Sequence, residues 1–151
     1  MTEMNILGNR AVHLLLVVLQ ISFVAAIIFS GPLFPSSFVL ITVSFAALIF
    51  ALWAMTEMKF RFSIFPVPAE SAELIMTGPF AIVRHPMYTS LLAWTLSLML
   101  GEPRDFRFAI WILLFAVLMI KSEAEERILS ARFSEYGDYR KATKRIIPFV
   151  L

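Results

Sequence analysis

Two uncharged apolar runs constrain the fold of this chain more than any other feature. Residues 11–30 and 36–55 are twenty residues each and contain no Asp, Glu, Lys or Arg. A helix of that length is about 30 Å long, which matches the hydrocarbon core of a bilayer. The first run is too long for a convincing signal peptide and lacks a small-residue cleavage pattern. We therefore predict a transmembrane hairpin over residues 1–55, turning at Gly31 and Pro32.

Composition supports one integral-membrane domain and excludes several kinds of chemistry. The 151 residues are 60% hydrophobic and only 16% charged, with a mean hydropathy of +0.82. The absence of cysteine excludes thiolate nucleophiles and cysteine-ligated metals, and the two histidines, His13 and His85, are far apart in the chain. A net charge of +2 without a free basic stretch argues against nucleic-acid binding. We expect a lipid bilayer as partner and no metal.

The second half of the chain predicts an interfacial loop followed by a second helix pair. Hydropathy falls and prolines cluster over residues 56–86. The apolar runs 87–100 and 108–120 are short, but the helical pattern continues past residue 120, so we predict that both helices span. Arg107 and Lys121 are then expected to snorkel at the ends of the fourth helix.

Residues 121–151 complete the predicted architecture as a cytosolic helical tail, broken around Gly137 and ended by Pro148. The fold class is thus an all-α membrane bundle of about four transmembrane helices in one domain, with boundaries at 1–55, 56–86, 87–120 and 121–151. Eleven Lys and Arg residues fall on one predicted side and two on the other. This bias places both termini in the cytoplasm.

The most unusual local stretch is TGPFAIVRHPMY, residues 77–88. Pro86 disfavours helical geometry at His85 and favours a helix start, which places His85 at or near the N-cap. Free N–H groups, the helix dipole and the Arg84 cation would then meet where an anionic group can bind. The alternative is that the prolines mark ordinary turns and that Arg84 is an interfacial anchor.

The acidic residues that follow the fourth apolar run differ in what explains them. Glu123 can pair with Arg127 at i,i+4, and Glu125 with Lys121, as on a solvated helix face. Glu126 has no cation at i±3 or i±4 on its own helix. We therefore predict that its partner comes from elsewhere in the fold, either Arg84 or a cationic ligand.

Together, GPFAIVRHPMY and EAEERILSARFSEYGDYRKATKRIIP resemble the isoprenylcysteine carboxyl methyltransferase and phospholipid methyltransferase superfamily of membrane enzymes. The resemblance covers roughly residues 74–148. It implies S-adenosyl-L-methionine as methyl donor at the cytosolic face and a lipophilic or small acceptor: an isoprenylcysteine-like carboxylate, a phospholipid amine, a thiol or an isoprenoid. The implied cofactor-binding residues are Gly78, Pro79, Arg84, His85, Pro86, Tyr88, Glu125 and Glu126, with Arg84 and Glu126 as the catalytic pair. The glycine that follows the family's tyrosine is replaced by Ser90.

Further side chains are candidates for the acceptor. Tyr136, Tyr139 and Arg145 are candidate substrate-binding residues that could close the cytosolic side, although interfacial anchoring is the commoner role for such side chains. His13 and Gln20 either line an acceptor tunnel or form a helix–helix hydrogen bond, which is the commoner role. The length favours a prokaryotic inner-membrane protein, and the sequence leaves the oligomeric state open.

Two other functions compete with methyl transfer. A membrane reductase that uses NADPH is one, because sterol reductases resemble this superfamily in their C-terminal halves. The other is a non-catalytic membrane scaffold that retains the fold. Intact Arg84, His85, Tyr88 and both glutamates favour the methyltransferase.

Overall fold

The computed structural model describes residues 10–59 and 74–147. Within these residues the chain forms five α-helices and one 3₁₀ turn, and no strand. The elements are α1 (Arg10–Phe29), α2 (Phe38–Glu57), the 3₁₀ turn (Gly78–Ala81), α3 (Pro86–Gly101), α4 (Asp105–Arg132) and α5 (Tyr136–Ala142). The predicted all-α class is confirmed.

Helices α1 and α2 occupy the two uncharged runs, as the sequence predicts. Both are long and apolar enough to cross a membrane, judged by length and composition. Many of their large apolar side chains face outward, and Phe29 and Phe38 are 88% and 82% exposed. Such a surface is unfavourable in water and is suited to lipid. Helix α2 packs mainly on α3, and α1 on α4, around a core that includes Ile27, Leu98 and Leu114.

The second helix pair is longer than the apolar runs that predicted it. Helix α3 has 16 residues and α4 has 28, so only residues 102–104 remain between them instead of the predicted turn 101–107. The helical continuation past residue 120 is confirmed. The polar residues that flank the fourth apolar run include good helix formers, and the acidic Asp105 lies in the first turn of α4. Both features favour a helix longer than the apolar run itself. The arrangement of four spans remains a prediction.

The snorkelling prediction for Arg107 and Lys121 is wrong. Arg107 is fully buried and donates hydrogen bonds to the carbonyl oxygens of Glu102 (2.9 Å) and Ile27 (3.0 Å). The Ile27 carbonyl belongs to the last turn of α1, where carbonyls lack helical partners. Lys121 is 4% exposed and donates to Oε1 of Gln20 at 2.7 Å. Both cations therefore turn toward α1 instead of toward the bilayer surface.

The C-terminal part breaks earlier than predicted. Helix α4 ends where Phe133 takes an extended conformation (φ −113°, ψ 117°), and Gly137 lies inside α5. The break therefore falls at residues 133–135 and not at the glycine. The predicted stop at Pro148, residues 1–9 of the predicted hairpin and residues 60–73 of the interfacial loop lie outside the described residues.

Candidate cofactor site

The start of α3 has the geometry that the sequence predicts. Pro86 is the first helical residue and His85 is the N-cap, with non-helical torsions (φ −123°, ψ 64°). The carbonyl of His85 accepts the amide protons of Tyr88 and Thr89, both at 3.0 Å. Proline lacks an N–H group, so its position in the first turn leaves no donor unsatisfied there.

A short C-terminal segment, residues 143–146, lies beside the stretch that precedes α3. Val83 and Lys144 form a parallel bridge. The amide of Arg84 donates to the Lys144 carbonyl at 2.8 Å, and the amide of His85 donates to the Arg145 carbonyl at 3.0 Å. This pairing fixes the two parts of the chain that carry the basic residues of the site.

Glu126 is the centre of an ion cluster at this junction. Its side chain is 3% exposed, and its Oε1 accepts from Nε of Arg84 at 2.8 Å and Nε of Arg145 at 3.2 Å. Nε of Arg140 lies 3.7 Å from Oε2, and Nε2 of His85 lies 3.3 Å from Oε1. The prediction that a cation from elsewhere in the fold compensates Glu126 is confirmed.

These contacts shift the pKa values of Glu126 and His85. Burial alone would raise the pKa of Glu126, but hydrogen bonds from His85 and Arg84, together with their positive charge, lower it to about 2. Burial likewise opposes the imidazolium form of His85, yet hydrogen bonds to Glu125 and Glu126 and the charge of both carboxylates leave its pKa raised. Glu126 is therefore ionised at neutral pH, and His85 is biased toward the cation.

Glu125 belongs to the same site and not to a solvated face. Its Oε1 accepts from the hydroxyl of Tyr88 at 2.5 Å, and its Oε2 lies 3.2 Å from Nδ1 of His85. The rings of His85 and Tyr88 are stacked, with centroids 5.4 Å apart and planes within 7°. The predicted pairing of Glu125 with Lys121 is replaced by these bonds, since the Lys121 amine is directed to Gln20. Glu123 does pair with Arg127 as predicted, and it also accepts from Arg145 at 2.7 Å.

Arg84 is held from several directions. Besides Glu126, it donates from Nη1 to the carbonyl oxygens of Arg140 (3.1 Å) and Thr143. Its side chain is 7% exposed. The interfacial-anchor alternative for Arg84 is therefore wrong, because the guanidinium is turned into the protein.

Gly78 and Pro79 lie at the edge of the site rather than among its charges. Gly78 has a positive φ of 59°, which favours glycine, and a Cβ there would come within 2.6 Å of the Glu57 carboxylate. Thr77 donates to the same carboxylate at 3.0 Å. The 3₁₀ turn is thus seated on the end of α2, and Pro79 is buried.

The two tyrosines of α5 are interior residues and not interfacial anchors. Tyr136 is 1% and Tyr139 is 7% exposed. The Tyr139 hydroxyl donates to the carbonyl of Phe80 at 2.8 Å, and burial raises the pKa of Tyr139 to about 12. Within the described residues, the buried hydroxyl of Tyr136 has no hydrogen-bond partner.

Sequence reasoning missed two residues of the site, Arg140 and Thr143. Arg140 and Thr143 sit in a strongly basic segment where no spacing distinguishes one residue from another. Gln20 forms a helix–helix hydrogen bond, as the commoner of its two predicted roles requires. Ser90 is buried, and its hydroxyl donates to the Pro86 carbonyl of its own helix at 2.9 Å.

Two long apolar helices and a buried charged site at the start of a third define a helical membrane protein. Comparison with known proteins gives the family. The phospholipid methyltransferase family matches residues 36–136, so the chain belongs to that family. The resemblance found in the sequence is thereby confirmed, and the reductase and scaffold alternatives receive no support.

One curated relative and the solved structures complete the comparison. The nickel-cobalt-cadmium resistance protein NccN of Alcaligenes xylosoxydans xylosoxydans is 33% identical over 82 residues, which is 52% of this chain and 38% of that protein. The chain thus spans well under half the length of this relative. No solved structure matches the chain.

Proposed function

We propose that this protein transfers a methyl group from S-adenosylmethionine to a lipophilic or small acceptor at the cytosolic face of a membrane. Membership in a methyltransferase family supports the reaction class. The observation that carries the assignment to these residues is the 2.8 Å ion pair between Arg84 and Glu126, because it joins the two motifs that the resemblance implicates. Arg84 and Glu126 are 42 residues apart in the chain.

The donor set fits the charged groups of S-adenosylmethionine. That molecule carries a carboxylate, an ammonium group, ribose hydroxyls and a sulfonium. Arg84 and the partly exposed Arg140 supply positive charge beside the start of α3, where an anionic carboxylate is stabilised. Glu125 and Glu126 supply acceptors for ammonium or hydroxyl protons. Nε2 of His85, 3.3 Å from Oε1 of Glu126, is a further buried polar atom beside these carboxylates.

The residues of the site would act by positioning and charge. When bound, S-adenosylmethionine would supply an electrophilic methyl group to the nucleophilic atom of the acceptor, with S-adenosylhomocysteine as the leaving group. Arg84 and Glu126 orient the amino-acid end, and their mutual ion pair holds both side chains rigid before binding. Tyr88 and Glu125 present an aromatic ring and a carboxylate to a cation. Because most of these side chains are buried, water has little access to them.

The topology that we propose keeps all of these groups on one side of the membrane. Helices α3 and α4 both span, and both chain ends are cytoplasmic. The charge bias of eleven basic residues to two supports this orientation. An acceptor that is dissolved in the bilayer would then reach the site laterally, between the helices.

The printed name of the relative NccN refers to resistance to metal ions, and we do not extend that role to this chain. Among residues 10–59 and 74–147 no group of three or more His, Asp or Glu side chains is placed to hold a metal ion. The ion cluster around Glu126 is instead dominated by cations, which would repel a metal.

Calorimetric titration of the detergent-purified protein with S-adenosylhomocysteine tests the proposal. We expect saturable binding in the wild type and loss of binding in Arg84→Ala/Glu126→Gln. The matched control is Lys141→Ala/Asp138→Asn, which removes an ion pair that is 80% and 88% exposed. The control should bind as the wild type does. A wild type that unfolds cooperatively but takes up no S-adenosylhomocysteine would overturn the proposal.

A further inference from the structure

Lys121 occupies a position that neither the membrane surface nor the proposed cofactor contacts explain. Its side chain is buried, and its amine donates to the Gln20 amide oxygen of α1 at 2.7 Å. A lysine at the end of an apolar helix normally extends to water, because an isolated ammonium is costly to bury. Here the ammonium is turned inward, across the bundle.

The same amine lies against the Tyr88–Glu125 hydrogen bond. Nζ of Lys121 is 5.3 Å from the centroid of the Tyr88 ring, within the range of a cation–π interaction. Glu125 follows Lys121 by one helical turn and attracts it electrostatically. Since the Tyr88 hydroxyl donates to Glu125, the lysine acts on both partners of that bond.

We propose that Lys121, held in place by Gln20, is a positioning residue that aligns Tyr88 and Glu125 for the cofactor and couples α1 to the site. The inference rests on the methyltransferase function proposed above. It gives the first helix a defined part in the site, although the recognised motifs all lie in residues 77–148. The mechanism is electrostatic: the ammonium lies over the face of the Tyr88 ring, and its charge attracts the carboxylate of Glu125 without a direct ion pair.

A purely structural helix–helix bond is the competing explanation, and the fold itself gives a reference for it. Ser44 and Ser97 join α2 to α3 through a hydrogen bond of 2.6 Å between two neutral hydroxyls. Two neutral hydroxyls thus connect a pair of helices without burying a charge. A buried ammonium between α1 and α4 costs more, so a role toward the neighbouring ring and carboxylate accounts for it better.

Lys121→Met tests the proposal, because it keeps the apolar stem and removes the charge. We expect its affinity for S-adenosylhomocysteine to fall about tenfold, the size of a buried cation–π contact. The control is Arg107→Met, which removes another buried cation of α4 fourteen residues earlier, about 21 Å away along the helix. Arg107→Met should lower the melting temperature and leave the affinity unchanged.

Two more variants separate positioning from folding. Lys121→Arg keeps the cation and should restore most of the affinity. Gln20→Leu keeps the lysine but removes the acceptor of its hydrogen bond, so it should weaken binding in a protein that still folds. This variant tests the proposal if Lys121→Met does not fold. Wild-type affinity in Lys121→Met or in Gln20→Leu would overturn the inference while leaving the methyltransferase proposal intact. Failure of the wild type to bind would overturn the function itself.

Discussion

Replacing Glu126 by glutamine should destabilise the protein by about 3 kcal/mol. The side chain is 3% exposed, and the change leaves the buried Arg84 without its carboxylate partner. It also removes one of the two carboxylates that face each of Arg145 and His85. Removing one partner of a buried ion pair costs about 3–5 kcal/mol. The pKa gives a similar size, since lowering it from 4.5 to about 2 corresponds to about 3 kcal/mol.

Glu123→Gln is the matched control on the same helix. Glu123 also accepts from Arg145, but its side chain is 37% exposed and its partner Arg127 is 49% exposed. Exposed ion pairs contribute about 0–1 kcal/mol. Both variants replace one carboxylate oxygen by an amide nitrogen. Their effects should therefore differ because of burial and the number of neighbouring cations.

Thermal unfolding in detergent, followed by circular dichroism, measures the difference. At about 2–4 °C per kcal/mol, Glu126→Gln should melt about 6–12 °C below the wild type, and Glu123→Gln within a few degrees of it. The Glu126 carboxylate stabilises the fold above pH 4.5, and that contribution is lost as the pH falls toward 2. The gap between wild type and Glu126→Gln should therefore close over that range. Equal melting temperatures for the two variants, or a gap that does not change with pH, would refute the reasoning.

Three further outcomes follow from the contacts of the fold. Because the pKa of His85 is raised in the folded protein, its imidazolium form stabilises the fold fully below about pH 6.5, and this stabilisation is lost as the pH rises through the folded-state pKa. The melting temperature of His85→Gln should lack this alkaline decline. Gly31→Ala places a methyl group 2.6 Å from a nitrogen of Arg107. The overpacking should lower the free energy of unfolding by about 1–3 kcal/mol in denaturant titrations, and an unchanged midpoint would contradict this prediction. Tyr139→Phe removes the bond to the Phe80 carbonyl and should cost about 1 kcal/mol in the same assay; a neutral effect would mean that water replaces the hydroxyl.

The helices were predictable because hydrophobic length and proline position are local properties. The uncharged runs give α1 and α2, and Pro86 gives the start of α3. Glu126 was identifiable for a similar reason, since a carboxylate without a cation on its own helix needs one from elsewhere. Arg84 supplies that charge.

The rest of the site depends on contacts that leave no periodic signal. Arg145 and Arg140 reach Glu126 only because residues 143–146 fold back beside Val83, through bonds between backbone atoms that any residue can make. Arg107 was misassigned for a related reason. Its acceptor is a carbonyl at the end of a distant helix, and sequence spacing does not reveal which side chain reaches that carbonyl.

The parallel pairing of Val83 with Lys144 has a consequence for how the protein is made. Residues 143–146 leave the ribosome after the residues of all four long helices, so the helices are synthesised while Arg145, the partner of Glu126 from this segment, is still missing. Insertion into the membrane and completion of the site are therefore separate events. Nascent chains that stop before Lys144 would contain the four helices without the backbone bonds that hold Arg84 and His85 in place.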